Sequence, residues 1–256
     1  MTRSSIVLLP GLGANARLFS PQLAAFADRG AFVPEYPSLQ DRTASVEDLA
    51  RSLRRDLASR GALDARTILV GFSFGSQVAL SLTRGLIDDG AAPPRAILLV
   101  SGLRRTSQLT RRFRLEVMAS RLLPDAVIAH AARELVAIPF ARACGLDHDA
   151  TLELRRMAAE LDVAQFRRLA GAATRWRFED ADEARLRASG VRLLHLHAER
   201  DPVIPPPPAS VEGVERLAER AHLLTWTHAA RVKSMIEQAL AIDAPASPSD
   251  PSCPRG

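Results

Sequence analysis

Thr67-Ile-Leu-Val-Gly71-Phe-Ser73-Phe-Gly75-Ser-Gln-Val-Ala-Leu80 is the stretch on which the reading of this chain turns. A run of β-branched and apolar residues leads into Gly-x-Ser-x-Gly, and an amphipathic helical pattern follows at once. Strand, sharp turn, helix is the context a nucleophile elbow demands. The turn holds Ser73 in a strained backbone position that exposes its Oγ, at the positive end of the following helix. Gly71 and Gly75 are required because side chains there collide as strand and helix approach. A Gly-Ser turn arising by chance is the bland alternative, and the apolar strand and helix on either side argue against it.

Outward from the elbow, short apolar runs alternate with helical patterns. Strands are predicted at 6–10, 31–36, 67–71, 96–101, 192–197 and 214–219, and helices at 18–29, 46–60, 75–88 and 228–242. This alternation predicts an α/β fold, a mainly parallel sheet of about six strands with helices on both faces. The unbroken apolar runs Ile68-Leu69-Val70 and Ile97-Leu98-Leu99-Val100 fit central strands buried on both sides. From 103 to 184 the pattern is only helical, broken at Pro124, Pro139 and Gly145. It reads as a helical insertion placed to form a lid, or else as an extra helical layer. The expected organisation is one domain over 1–243, with core 1–102 and 185–243, and a disordered Pro/Ser-rich tail at 244–256.

Composition narrows the function. Of 256 residues, 47% are hydrophobic and 25% charged, which excludes a largely disordered chain, and no apolar run is long enough for a membrane span. The N-terminal apolar run breaks at Pro10-Gly11 with no convincing cleavage site, so a core strand and a cytoplasmic location are expected. Cys144 and Cys253 are too far apart for a disulfide framework or a cysteine zinc site. The net charge of +5 persists to high pH because Lys233 is the only lysine and Tyr36 the only tyrosine. The arginines are interspersed with acids along helical stretches and not clustered among aromatics, so nucleic-acid binding is not expected. No metal motif is present, since His195-x-His197 lacks a third nearby ligand. No cofactor is expected.

Serine needs a base held by an acid, and after an elbow the chain order is Ser, then Asp or Glu, then His. Asp201 follows the strand Leu193-Leu-His-Leu-His197, at the end of a parallel strand where ligand chemistry gathers. Two histidines compete for the base. With a last strand at 214–219 and Thr227 capping the final helix, His222 is the loop residue. With Leu223-Leu-Thr-Trp226 as the strand, His228 is. His195 and His197 lie within a strand and read as structural, and His130 and His148 belong to the insertion. The Gly-rich loop Pro10-Gly11-Leu12-Gly13 can supply an oxyanion donor from Leu12, beside one from Phe74 after the nucleophile.

With these parts the chain resembles the α/β-hydrolase fold superfamily over residues 5–242. The likeness rests on Pro10-Gly11-Leu12-Gly13, the Gly71–Gly75 elbow, His197-Ala-Glu-Arg-Asp201 and His222-Leu-Leu-Thr-Trp-Thr-His228. Many bacterial members carry a catalytic histidine a few residues before a Thr-His pair, which places the base at His222 and the pair at Thr227-His228. Arg220-Ala221 departs from the small residues usual before that histidine. The resemblance implies a serine hydrolase acting on a carboxylic ester or thioester, with Ser73, His222 and Asp201 as triad and Leu12 and Phe74 as oxyanion hole.

Other readings compete. The loop Gly11-x-Gly13-x-x-Ala16, with Glu35 ending the next strand, also fits a dinucleotide-binding oxidoreductase. A catalytically weak hydrolase fold serving as a binding protein is another possibility. Finally, Arg104, Arg105, Arg111, Arg112 and Arg114 precede the first acid of the insertion, Glu116. They read either as a solvated helix face or as a docking patch for an anionic partner such as an acyl-carrier phosphopantetheine.

Overall fold

Six strands lie side by side in the order β2-β1-β3-β4-β5-β6, every neighbouring pair parallel. They are β1 (Ile6–Leu9), β2 (Ala31–Phe32), β3 (Ile68–Phe72), β4 (Ala96–Val100), β5 (Arg192–Ala198) and β6 (Val214–Leu217). The computed structural model describes residues 5–39 and 44–241. The expected tail at 244–256 lies outside them. Strand placement matches the sequence pattern; the clearest difference is β2, which stops at Phe32 shortly before Pro34. Proline has no N–H for a ladder, so the pairing ends early.

Alternate residues of the central strands face opposite layers, as period-two geometry dictates. Val7, Leu9, Leu69, Ile97 and Leu99 pack beneath α2 (Val46–Ser59) and α3 (Phe74–Asp88), whereas Ile6, Leu8, Val70, Leu98 and Leu196 pack against α11 (Ala229–Ala241). The expected helix at 18–29 is instead a 3₁₀ turn (Ala16–Phe19), a short α1 (Ser20–Ala25) and a second 3₁₀ turn (Ala27–Arg29). Pro21 sits at the start of α1, where its missing N–H is harmless, but it cannot extend a helix begun at residue 18.

The chain leaves β1 to form β2, then returns to the other side of β1 as β3. The crevice beside β1 is therefore the switch point where parallel sheets bind ligands. Between β4 and β5 the insertion folds as α4 (Arg111–Ser120), α5 (Asp125–His130), a π turn (Ala131–Val136), α6 (Ala137–Ala143), α7 (His148–Ala159), α8 (Val163–Arg175) and α9 (Asp180–Ala188). Its base is fastened by a buried ion pair. Arg104 holds Glu183 with one guanidinium edge, Nε and Nη2 donating at 2.7 and 2.5 Å, and its Nη1 donates to the Glu212 carbonyl. Burial alone would raise the Glu183 carboxyl, but its bonds to Arg104 bring it below its ordinary value.

No helix among the described residues is long and apolar enough to cross a membrane.

Candidate active site

Three loops meet at the C-terminal ends of β1, β3 and β5. At the end of β3, Ser73 has φ +52°, a conformation that side chains rarely adopt. The surrounding glycines make this turn possible. A Cβ on Gly71 would lie 2.6 Å from the Gly75 carbonyl oxygen, and one on Gly75 would lie 2.0 Å from that of Leu9. The Ser73 N–H is held by the Val100 carbonyl at 3.0 Å.

Sequence reasoning missed a second strained turn behind the elbow. Ser101 has φ +47°, and a Cβ on Gly102 would fall 1.8 Å from the Ser76 Oγ, which donates to the Gly71 carbonyl at 2.9 Å. Its only signal is a Ser-Gly pair closing an apolar strand.

The Gly-rich loop from β1 lies directly on the elbow, because a Cβ on Gly11 would meet the Phe72 ring at 3.0 Å and the Ser73 Cβ at 3.3 Å. Tyr36, which the sequence places at the end of a predicted strand and gives no role at the site, braces this loop. Its hydroxyl donates to the Pro10 carbonyl at 2.8 Å and its ring meets Phe74 edge-on. Burial raises the Tyr36 phenol well above its ordinary pKa, so it stays a donor. Asn15 and Arg17 bind Glu160 just past α7, tying the loop to the insertion.

This geometry removes the physical basis of the dinucleotide reading. The Gly-rich turn enters a 3₁₀ segment, not a helix whose N-terminus could receive a pyrophosphate. Its glycines have other work: Gly11 abuts the elbow, and Gly13, at φ +69°, abuts Leu161. Glu35 is exposed beside the loop.

At β5 the chain turns through Asp201. The Asp201 carboxylate is fully buried, and its Oδ1 accepts the N–H groups of Val203 at 2.7 Å and Ile204 at 3.0 Å. Its Oδ2 meets His222 Nδ1 at 2.8 Å. A carboxylate can only accept, so Nδ1 carries the proton and Nε2 is left with a free lone pair. The His222 ring neighbours those of Phe72 and Phe140, with centroids 5.0 and 6.1 Å away.

His228 is placed differently. Its Nε2 pairs with Glu219, and its Nδ1 meets the Thr227 hydroxyl at 2.9 Å. Residues Leu224–Thr227 form a short helix, α10, not a strand, so the alternative register with a last strand at Leu223–Trp226 does not occur. Thr227 closes α10 and does not cap α11, because burying Leu224 and Thr225 takes one helical turn before the final helix begins.

Ser73 and His222 line one cavity of about 530 Å³, together with Leu12 and Phe74. The rest of its wall is largely apolar and comes mainly from the insertion, including Phe113, Phe140, Met157 and Phe166. Among the described residues no cluster of His, Cys, Asp and Glu could hold a metal ion.

The run of five arginines does not survive folding as a single patch. Arg104 is buried on Glu183, Arg105 pairs with Asp180 at 2.9 Å, and Arg112 pairs with Glu116. The partners of Arg104 and Arg105 lie some seventy-five residues further along, so the local sequence hid them. Arg111, Arg112 and Arg114 remain exposed.

A parallel sheet in this order, an elbow after β3 and a helical insertion after β4 together define the α/β-hydrolase fold. The alpha/beta hydrolase family profile matches residues 6–235, and the chain belongs to that family. Among curated proteins none matches significantly. Among solved structures the chain is similar to an esterase from Thermogutta terrifontis, at 15% identity and TM-score 0.71, covering 93% of this chain and 90% of that one. An esterase from Exiguobacterium antarcticum is similar at 14% identity and TM-score 0.71, covering 94% and 93%. The RedJ thioesterase of the prodiginine pathway in Streptomyces coelicolor is similar at 18% identity and TM-score 0.62, covering 93% and 90%. At these identities the likeness is one of fold.

Proposed function

We propose that this chain is a serine hydrolase that cleaves a carboxylic ester or thioester through an acyl-enzyme. The observation that carries the reading is the His222 Nδ1–Asp201 Oδ2 bond. It frees His222 Nε2 in the cavity that Ser73 also lines. Ser73 Oγ attacks the acyl carbon as His222 Nε2 takes its proton. The carbonyl π electrons move onto oxygen, which the N–H groups of Leu12 and Phe74 receive; neither N–H has a protein acceptor among the described residues. The tetrahedral adduct collapses, the bond to the leaving oxygen or sulfur breaks, and His222 returns the proton to it. Water then attacks the acyl-enzyme by the same route, releasing the acid and restoring Ser73. Asp201 orients the imidazole and stabilises its cationic form. The 82-residue span 103–184 acts as a lid in this reading.

The apolar wall supports an apolar acyl group as substrate. Each methylene buried contributes about 0.8 kcal/mol, so kcat/KM should rise about three- to fourfold per carbon until the cavity is full. A series of p-nitrophenyl esters and acyl thioesters of graded length measures this. A preference for acetyl over every longer acyl group would overturn it.

An acyl-carrier partner is the finer reading, supported by the exposed guanidinium groups of Arg111 and Arg114 beside Leu115 and Met118 on one face of α4. The planar fork of arginine pairs bidentately with phosphate, and docking on exposed charge weakens with salt. Replacing Arg111, Arg112 and Arg114 with Gln should raise KM for a carrier-bound acyl substrate and leave that for a small neutral ester unchanged. Equal effects on both, or on neither, would remove the carrier.

A further inference from the structure

β5 buries two histidines that the proposed mechanism does not use. His195 and His197 point to the same face of the strand and are wholly shielded from solvent. His197 Nε2 lies 3.0 Å from the Ile204 carbonyl and 3.7 Å from Asp201 Oδ2. Its Nδ1 lies 3.1 Å from His195 Nε2. A carbonyl can only accept, so His197 Nε2 carries a proton and, in the neutral ring, Nδ1 is a bare acceptor. The proton between the two rings therefore belongs to His195 Nε2. Among the described residues His195 Nδ1 makes no hydrogen bond, and the Gly102 backbone lies near the ring.

Burial pushes both rings below their ordinary pKa, His195 furthest, so each is neutral. The charged groups facing them act in the same sense or are already engaged. Arg104 and Arg216 disfavour a further proton, and Asp201, which favours one on His197, is bonded to His222. A leucine at 195 would be buried without the desolvation of a ring nitrogen. What histidine supplies there is one hydrogen bond, to His197.

Resting on the serine-hydrolase reading, we infer that His195 and His197 form a positioning chain for Asp201. His195 fixes the tautomer of His197. The fixed Nε2–H then holds the Asp201–Ile204 turn through the Ile204 carbonyl and presents a positive dipole to the oxygen that receives His222. Asp201 is thus flanked on two sides: backbone N–H groups are bonded to Oδ1, while Oδ2 is bonded to His222 and has the His197 ring 3.7 Å away. Orienting groups one step removed from the chemistry act in this way, through geometry and the basicity of the ligand they hold.

The test uses His197→Phe, His195→Leu and His195→Gln in the full-length protein, since a glutamine amide can still donate to His197 Nδ1. Wild-type His195 and His197 should show, by ¹⁵N NMR, neutral rings protonated at Nε2. In His197→Phe, kcat should fall about tenfold at unchanged KM, as expected when a triad is misplaced without loss of substrate contacts. The carboxylate loses a dipole and becomes more basic, the His222 imidazolium is favoured, and the acid limb of kcat/KM should move up by about half a pH unit. The downfield His222 Nδ1 proton resonance should shift with it. His195→Leu should move all three readouts the same way by less, and His195→Gln should restore them. Loss of thermal stability with kcat, pH limb and proton resonance unmoved would make the pair structural filler and overturn the inference. So would a Gln variant indistinguishable from Leu, or rings protonated at Nδ1. If the wild-type protein neither hydrolyses esters nor labels at Ser73, the hydrolase reading falls, while the NMR tautomers and the Asp201-bound resonance still decide the histidine chain.

Discussion

Ser73→Ala is expected to lower ester hydrolysis by a factor on the order of 10⁴–10⁶ and to abolish fluorophosphonate labelling, because triad members act as one unit. The fold should persist. Alanine keeps the Cβ that the turn at φ +52° already accommodates, and the Ser73 N–H bond to Val100 belongs to the backbone. Neither nearby serine offers a substitute. Ser76 is buried and donates its hydroxyl to the Gly71 carbonyl, and Ser101 is buried behind the elbow. The residual rate of the variant then measures what the cavity and the proposed oxyanion donors achieve without a nucleophile. A purified, folded variant that keeps more than a tenth of wild-type turnover would remove Ser73 from the reaction, and with it the acyl-enzyme.

The central strands and the elbow were legible because their signals are local. Ile68-Leu69-Val70 and Ile97-Leu98-Leu99-Val100 declare buried strands, and Gly71 and Gly75 bracket a turn whose sterics allow nothing larger. The Asp201 loop was legible for the same reason, since a strand end followed by Asp-Pro is a contiguous pattern. What was illegible depends on partners distant in sequence. Arg104 reads as one of five surface arginines until Glu183 folds onto it. Tyr36 reads as an ordinary strand residue until the Pro10 carbonyl meets its hydroxyl. The cavity is the extreme case: Phe113, Phe140, Met157 and Phe166 have the spacing of any amphipathic helix, and only the path of the insertion turns their apolar faces toward Ser73 and not toward one another. At the last helix the error was a single turn. The sequence offers Thr227 as a cap, and the burial of Leu224 and Thr225 inserts α10 ahead of it.

His222→Ala should match Ser73→Ala in severity, and His228→Ala should cost tenfold or less. The two histidines are six residues apart but are engaged in opposite ways. His222 is bonded at Nδ1 by a buried acid, which selects the tautomer that leaves Nε2 open to the cavity. His228 has both ring nitrogens engaged: Glu219 can only accept, so Nε2 is a donor there, and Nδ1 meets the Thr227 hydroxyl. No free lone pair of His228 is left to take a proton from Ser73. Its removal should act through the junction of α10 and α11, where it loosens Glu219 and Thr227, and should appear as a modest fall in thermal stability. Asp201→Asn provides the linked check. An amide presenting its NH₂ to His222 Nδ1 favours the opposite tautomer, so activity should fall by about 10⁴ with the fold intact. If His228→Ala were the dead variant and His222→Ala the active one, the base would have to reside on His228, and the Asp201–His222 bond would be a structural contact only.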